Sequence, residues 1–193
     1  MLKVFIIILV SLAGIPYGNA QTPSASGSHS QPVFHSFNTI QLLNGSSATS
    51  IAINSVNGFQ FSRLFAGVGI GFDYYFHTTI PLFAEARYEL LSRKNKLQLF
   101  ANGGVSFPFS GQDDKTWNRT GHYNTGSLYG AGIDYLLPVK SKAMILGIAF
   151  SNKQVIQMLD NNIWNLMLDR VENEPIREKY ALNRIALRVG LRF

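Results

Sequence analysis

The feature that most constrains this chain is a series of segments, each about ten residues long, in which apolar and polar side chains alternate. A period of two is typical of β-strands with two chemically different faces. Turn-forming residues separate the segments, and they predict one all-β domain over residues 33–193. The eight predicted strands cover residues 34–43, 49–61, 65–76, 82–91, 97–109, 127–137, 144–155 and 181–193.

The polar faces of these segments combine full charges with glycines, whereas the opposite faces are apolar. An eight-stranded barrel has a lumen just wide enough for side chains to fill it, so long charged side chains there need small neighbours. The pattern predicts an eight-stranded antiparallel transmembrane β-barrel with apolar residues facing lipid and a polar, side-chain-filled lumen. The predicted lumen charges, four acids and five bases, are Asp73, Glu85, Arg87, Glu89, Asp134, Lys153, Arg184, Arg188 and Arg192.

A buried charge is tolerated only when it is paired, so we expect these nine residues to form a network of arginine–carboxylate pairs that plugs the barrel. The alternative is a soluble, lipocalin-like barrel of reversed polarity. Aromatic residues near the strand ends (Phe59, Phe61, Tyr74, Tyr75, Phe107, Phe109, Tyr135 and Phe193) disfavour it, because such girdles lie at the two membrane interfaces.

The N-terminus has the pattern of an export signal. Residues 1–20 contain Lys3, a short apolar core and a small-residue cleavage pattern ending at Ala20, which predict a signal peptide. Residues 21–32 are rich in serine and proline and predict a disordered leader. The chain has no cysteine, which excludes disulfides and thiolate chemistry.

The predicted connections alternate in length, as they do in outer-membrane barrels, whose short turns are periplasmic. Residues 111–126 and 157–180 form the long loops, and we expect them to be extracellular. Basic residues in or beside the short turns would meet anionic headgroups: Arg63, Arg93, Lys94, Lys96, Lys140 and Lys142. Residues 162–171 (NIWNLMLDRV) are unusually apolar and predict a short helix or strand extension over the barrel mouth, or else an exposed patch for a partner.

Four stretches together resemble a known family: residues 57–75 (NGFQFSRLFAGVGIGFDYY), 81–90 (PLFAEARYEL), 130–138 (GAGIDYLLP) and the final RVGLRF. They are similar to the small outer-membrane β-barrel proteins of the OmpA/OmpX-like, "porin family" group. The resemblance implies the barrel fold, a bacterial outer-membrane location and a C-terminal assembly signal in Val189, Leu191 and Phe193, read by the barrel-assembly machinery. It implies little about activity.

No catalytic or metal-binding motif stands out, and the candidates for rim chemistry are Asp113, Asp114 and His122, with His77 also expected near the outer rim. We therefore expect a non-enzymatic protein, with no cofactor or metal, that has a structural or surface-binding role through its long loops. A narrow pore for ions or small solutes is the alternative, and a membrane-embedded hydrolase or acyltransferase is a weaker one. The expected partners are outer-membrane lipid and a surface ligand of the loops. Nucleic acid is not an expected partner despite the +6 charge. We expect the protein to be a monomer.

Overall fold

The computed structural model describes residues 31–46, 48–92, 96–109, 114–116, 119–140, 142–165 and 170–193. The predicted signal peptide and all but the last two residues of the predicted leader lie outside this part of the chain. Ten strands are present: β1 (Val33–Gly45), β2 (Thr49–Phe61), β3 (Leu64–Asp73), β4 (Thr79–Ser92), β5 (Lys96–Pro108), β6 (Asp114–Thr116), β7 (Arg119–Asn124), β8 (Gly126–Val139), β9 (Lys142–Asn165) and β10 (Arg170–Arg192).

Eight of these strands close into a barrel. The neighbours run in the order β1, β2, β3, β4, β5, β8, β9 and β10, and β10 pairs antiparallel with β1 to complete the circle. Every pairing around the circle is antiparallel. Closure leaves no sheet edge in the barrel wall, because every strand has a partner on both sides. The predicted eight-stranded antiparallel barrel is confirmed.

The outer surface of the barrel wall is apolar. The outward side chains of β10 include Ile185, Leu187, Val189 and Leu191, Phe193 follows them at the end of the strand, and Ile185 is 63% exposed. Val68 on β3 and Ile148 on β9 are 65% and 58% exposed. From residue 185 to residue 193, a tilted strand rises about 20 Å along the barrel axis, which is close to the height of the apolar band of a membrane barrel.

The two ends of the barrel differ in construction. The turn end carries both chain ends of the barrel and the connections β2–β3, β4–β5 and β8–β9. The loop end carries the β1–β2 and β3–β4 connections, the β6–β7 hairpin between β5 and β8, and the β9–β10 hairpin. No helix in the described residues is long and apolar enough to span a bilayer.

The predicted loop over residues 157–180 is largely strand. β9 and β10 stay paired from the barrel wall out to Asn165 and Arg170, so the strand-extension alternative holds for the backbone. In the predicted loop over residues 111–126, β6 and β7 form a hairpin, and β7 pairs with β9 from Arg119↔Asn161 to Asn124↔Ile156. The result is a four-stranded sheet, β6-β7-β9-β10, that projects beyond the barrel; we call it the loop-end sheet.

The third predicted strand is too long at its loop end, because β3 stops at Asp73. Phe76 has a φ of 63°, a left-handed conformation that ends extended structure. The chain turns inward here, and Tyr75 is fully buried. The assignment of Tyr75 to an interfacial girdle is therefore wrong, whereas its neighbour Tyr74 is half exposed.

The lumen also contains more apolar side chains than its charged pattern suggests. One cluster comprises Phe37, Val56, Phe65, Phe83, Leu136, Ala143 and Ile145. A second comprises Leu43, Ala52, Tyr75, Val155, Leu182 and Ala186. These residues alternate with the charged ones along the inward faces, so the interior is a packed core of mixed polarity.

Two adjacent glycines on β5 give a matched test of this packing. A Cβ on inward Gly104 would lie 2.1 Å from the Leu82 carbonyl oxygen, whereas the nearest atom to a Cβ on Gly103 is 3.9 Å away. We expect Gly104→Ala to cost about 1–3 kcal/mol of stability through overpacking and Gly103→Ala to leave it nearly unchanged. The urea midpoint of the heat-modifiable band on gels measures both; equal midpoints would contradict the assigned faces.

Candidate functional site in the lumen and at the barrel mouth

The inward charges form three groups along the barrel, and the central one is electrically neutral. Arg87 contacts two carboxylates: its Nε donates to Glu85 Oε1 at 2.7 Å, and its Nη1 donates to Asp134 Oδ2 at 2.8 Å. Arg188 Nη2 lies 3.5 Å from the same Asp134 oxygen. The four side chains have almost no solvent exposure, so mutual pairing replaces hydration.

Aromatic rings complete the central group. The Arg87 guanidinium carbon lies 3.8 Å from the Phe37 ring centroid, and that of Arg188 lies 3.8 Å from the Phe100 centroid. An aromatic face attracts a guanidinium through its quadrupole, and the attraction is stronger away from water. The apolar and charged residues of the lumen therefore stabilise one another.

A second group lies at the loop end and is organised by Asp73. Arg184 Nη1 donates to Asp73 Oδ2 at 2.5 Å, and the Tyr75 amide donates to Asp73 Oδ1 at 2.9 Å. Lys153 Nζ lies 3.5 Å from Asp73 Oδ1 and donates to the carbonyls of Tyr75 and His77 at 3.0 and 2.8 Å. A buried ion group thus holds the β3–β4 connection across the mouth of the lumen.

The third group lies at the turn end. Glu89 accepts hydrogen bonds from Lys96 Nζ at 3.2 Å and from Gln98 Nε2 at 3.1 Å, and Arg192 Nη1 lies 3.7 Å from Glu89 Oε1. Arg192 is partly exposed, with 16% of its side chain accessible, because it sits where the lumen opens. All nine predicted lumen charges thus lie in these three groups.

Three further polar residues, Lys96, Gln98 and Asn102, take part in these groups and are not among the nine predicted lumen charges. The sequence pattern places Lys96 in a basic turn, yet it pairs with Glu89, and Asn102 Nδ2 donates to Glu85 Oε2 at 3.2 Å. All three occupy alternate positions of β5. Their spacing of two or four residues in the sequence indicates that they share one face of β5. That face is the inward one, since Gln98 is fully buried.

Little free space remains inside the barrel. A cavity of about 30 Å³ is lined by residues that include Asn54, Asp73, Asn102, Arg184 and Arg188. Its size suits about one water molecule. On the loop-end side of this cavity, the His77 ring stacks on the Tyr123 ring of β7, with ring centroids 3.8 Å apart. The Phe76 and Tyr180 rings also pack together, with centroids 5.5 Å apart. The β3–β4 connection is thereby packed against the loop-end sheet.

Of the three candidate rim residues, only His122 has a side chain that the structure describes, so the structure assembles no catalytic group from them. Asp113, and the side chain of Asp114, lie outside the described residues. His122 is exposed on β7, and its register partner on β9 is Met158. Among the side chains that the structure describes, no group of three histidine or carboxylate residues is placed to hold a metal ion.

Of the basic residues predicted in or beside the short turns, some lie in the part of the chain that the structure describes and others do not. Arg63, Lys140 and Lys142 are exposed at the turn end, and Lys142 Nζ lies 4.2 Å from the centroid of the Phe193 ring. Arg93 and Lys94 lie outside the described residues. Also at the turn end, the His35 ring lies 3.2 Å from the Phe193 oxygen, and the Ser36 amide donates to that oxygen at 3.1 Å.

No model of a known protein family matches the chain, and no curated protein matches it in sequence. Among solved structures, the chain is similar to Neisserial surface protein A, with 14% identity, a TM-score of 0.47, and coverage of 82% of this chain and 94% of that one. It is also similar to a major outer membrane protein from Thermus thermophilus, with 8% identity, a TM-score of 0.46, and coverage of 83% and 99%. Likenesses this distant do not bear on what the protein does.

The central group yields a prediction about stability. Asp134→Asn removes one charge with almost no change of shape, and it leaves Arg87 and Arg188 with a single nearby carboxylate. We expect a loss of about 3 kcal/mol, the scale for breaking a buried pair, measured by the urea midpoint of folded protein in detergent.

Adding Arg188→Met to Asp134→Asn should recover part of that loss, because the uncompensated charge is gone. Glu178→Gln, outside the barrel wall, serves as a control of equal chemistry. An Asp134→Asn midpoint no lower than that of the control would mean that the pairing contributes nothing to folding.

Proposed function

We propose that this protein is a bacterial outer-membrane barrel with a closed lumen, and that it acts through the loop-end sheet as a surface-exposed binding or structural element. The observation that carries the proposal is the combination of an apolar outer wall with a lumen whose charges are paired internally. In this reading the barrel is an anchor, and the part that meets other molecules is the sheet beyond the mouth.

The membrane location is supported by the inversion of polarity. In the described barrel, buried positions include Arg87, Lys153 and Asp134, whereas Val68 and Ile185 are largely exposed. Monomeric soluble proteins rarely expose a continuous apolar surface of this extent. A closed barrel also satisfies its backbone groups internally, which hydrocarbon demands.

The closed lumen favours an anchor over a pore. The three charged groups and two apolar clusters fill the interior, and the β3–β4 connection covers the loop end through Lys153 and Tyr75. An ion crossing the barrel would have to break buried arginine–carboxylate pairs. A non-enzymatic role is proposed on the same basis, since the lumen charges are engaged with one another.

The loop-end sheet supplies the surface. Residues 156–165 of β9 extend about 30 Å beyond the barrel wall at the usual rise per residue. Their pairing with β7 and β10 holds this projection as a sheet. A sheet presents side chains at fixed spacing, which suits recognition of a ligand outside the cell.

The orientation can be tested on intact cells. Trypsin added outside should cleave in the loop-end sheet, where Arg170, Arg177 and Lys179 lie, and should spare Arg63 and Lys140 at the turn end. Cleavage fragments identified by mass spectrometry give the answer. Cleavage at Arg63 in intact cells, or protection there of every loop-end site that is cleaved in the unfolded chain, would overturn the orientation.

The role of the sheet can be tested by trimming it. Replacing residues 156–179 by Asn-Gly joins Val155 to Tyr180, which are register partners, through a two-residue hairpin turn. We expect the trimmed protein to keep its heat-modifiable migration and to lose the binding that the full chain shows on peptide and glycan arrays. Identical array profiles for both proteins would contradict the proposed role.

Conductance separates an anchor from a pore. In planar bilayers the wild-type protein should show no sustained channel activity, because its lumen is filled. The triple variant Asp73→Ala, Lys153→Ala, Arg184→Ala removes the loop-end group and should increase conductance. Steady wild-type channels that the triple variant leaves unchanged would rule out the closed lumen.

A further inference from the structure

A polar quartet interrupts the apolar outer surface of β1 and β2. Ser36 and Asn38 on β1 face outward on either side of inward Phe37, and Ser55 and Asn57 on β2 face outward on either side of inward Val56. The register pairs Ser36 with Asn57 and Asn38 with Ser55. Each asparagine therefore has a serine beside it across the strands and another two residues away along its own strand.

Apolar residues flank the quartet on both sides along each strand, and its turn-end half is level with Phe193, since Ser36 and Phe193 exchange backbone hydrogen bonds. On β2, Ile51 and Ile53 lie on its loop-end side, and Phe59 and Phe61 on its turn-end side; all four are exposed apolar residues. Phe34 and Ile40 flank it in the same way on β1. On the neighbouring strands, Asn38 faces Leu191 of β10 and Asn57 faces Val68 of β3.

Local hydrogen bonds satisfy only part of the quartet. Asn38 Nδ2 donates to Ser36 Oγ at 3.2 Å, and Asn57 Nδ2 approaches Ser55 Oγ at 3.5 Å. An asparagine amide has two donors and two acceptor lone pairs, so one bond leaves most of its capacity directed at lipid. An amide facing hydrocarbon is costly, and polar groups there are strong candidates for contact between proteins.

Resting on the proposed membrane location, we propose that the quartet is the centre of an interface between two copies of this chain. Two barrels inserted in the same direction are related by a two-fold axis along the membrane normal. β1 of one copy then faces β2 of the other at the same depth. Asn38 comes opposite Ser55, and Asn57 comes opposite Ser36, so each long amide meets a short hydroxyl.

The quartet is therefore complementary to itself in hydrogen bonding and in size. Its donors and acceptors match under the two-fold operation, and its small serines allow close approach of the two walls, as small residues do between membrane helices. A second copy is the occupant that these observations favour, in place of the monomer that the sequence predicts.

The first test measures self-association of the full mature chain in phosphatidylcholine–phosphatidylethanolamine vesicles by energy transfer between labelled copies. We expect dimers for the wild type, and an apparent dissociation constant raised about ten-fold or more in Asn38→Leu/Asn57→Leu. Asn44→Leu/Thr49→Leu is the matched control, because this exposed cross-strand pair of β1 and β2, joined by a 2.9 Å hydrogen bond, lies at the loop end of the same two strands. It should leave association unchanged.

The second test uses the absence of native cysteine. A mixture of copies carrying Asn38→Cys and copies carrying Ser55→Cys should give a disulfide-linked dimer on mild oxidation in vesicles, because the two-fold axis places these two positions opposite each other. A mixture of Asn38→Cys copies with Ala101→Cys copies, whose cysteine lies on β5 across the barrel from β1, should not. Heat-modifiable migration confirms that each variant is folded.

A monomeric wild type, equal crosslinking in the two cysteine mixtures, or a leucine variant that associates like its control would each overturn the proposed interface. The proposed membrane location is judged separately. A monomer that fractionates with the outer membrane would contradict the proposed interface and leave the membrane location intact. A chain that does not enter membranes at all would contradict both the interface and the membrane location.

Discussion

Eight strands that close on themselves leave an interior only as wide as the side chains that occupy it, and this width governs the whole molecule. Every charged side chain that points inward must find its counter-charge within the lumen. Glu85, Arg87 and Asp134 do so at 2.6 to 2.8 Å. Glycines on the same faces leave the space: a Cβ on Gly147 would lie 2.0 Å from Asp134 Oδ1.

The side chains that fill the lumen also connect the barrel to the loop-end sheet. Lys153 holds the carbonyls of Tyr75 and His77, and the His77 ring stacks on Tyr123 in the loop-end sheet. The end of the lumen and the base of the sheet are thus one packed unit. A closed lumen and a supported outer sheet have a common physical origin, which is why an anchor with a surface role suits this architecture.

The outer wall shows where alternation is insufficient as a guide. Around most of the barrel the outward residues are apolar, as on β10, and the inward ones carry the charges. β1 and β2 also place Asn38 and Asn57 outward, each beside a serine. Neither strand carries a charge that marks its faces in the sequence, so only the register brings the quartet together.

The alternation of side chains alone specifies the number of barrel strands and places Arg184, Arg188 and Arg192 on the face opposite the apolar one, because a period of two assigns each residue to a face without knowledge of its neighbours. It could not determine which charges meet, since Arg87 and Asp134 are 47 residues apart and strand register decides their distance. It also misplaced Tyr75, because the inward turn after Asp73 depends on Lys153 from a distant strand. Long-range pairing alone decided that residues 157–180 are mostly paired strand and not a loop, because β9 and β10 can continue only while each supplies the backbone partners of the other.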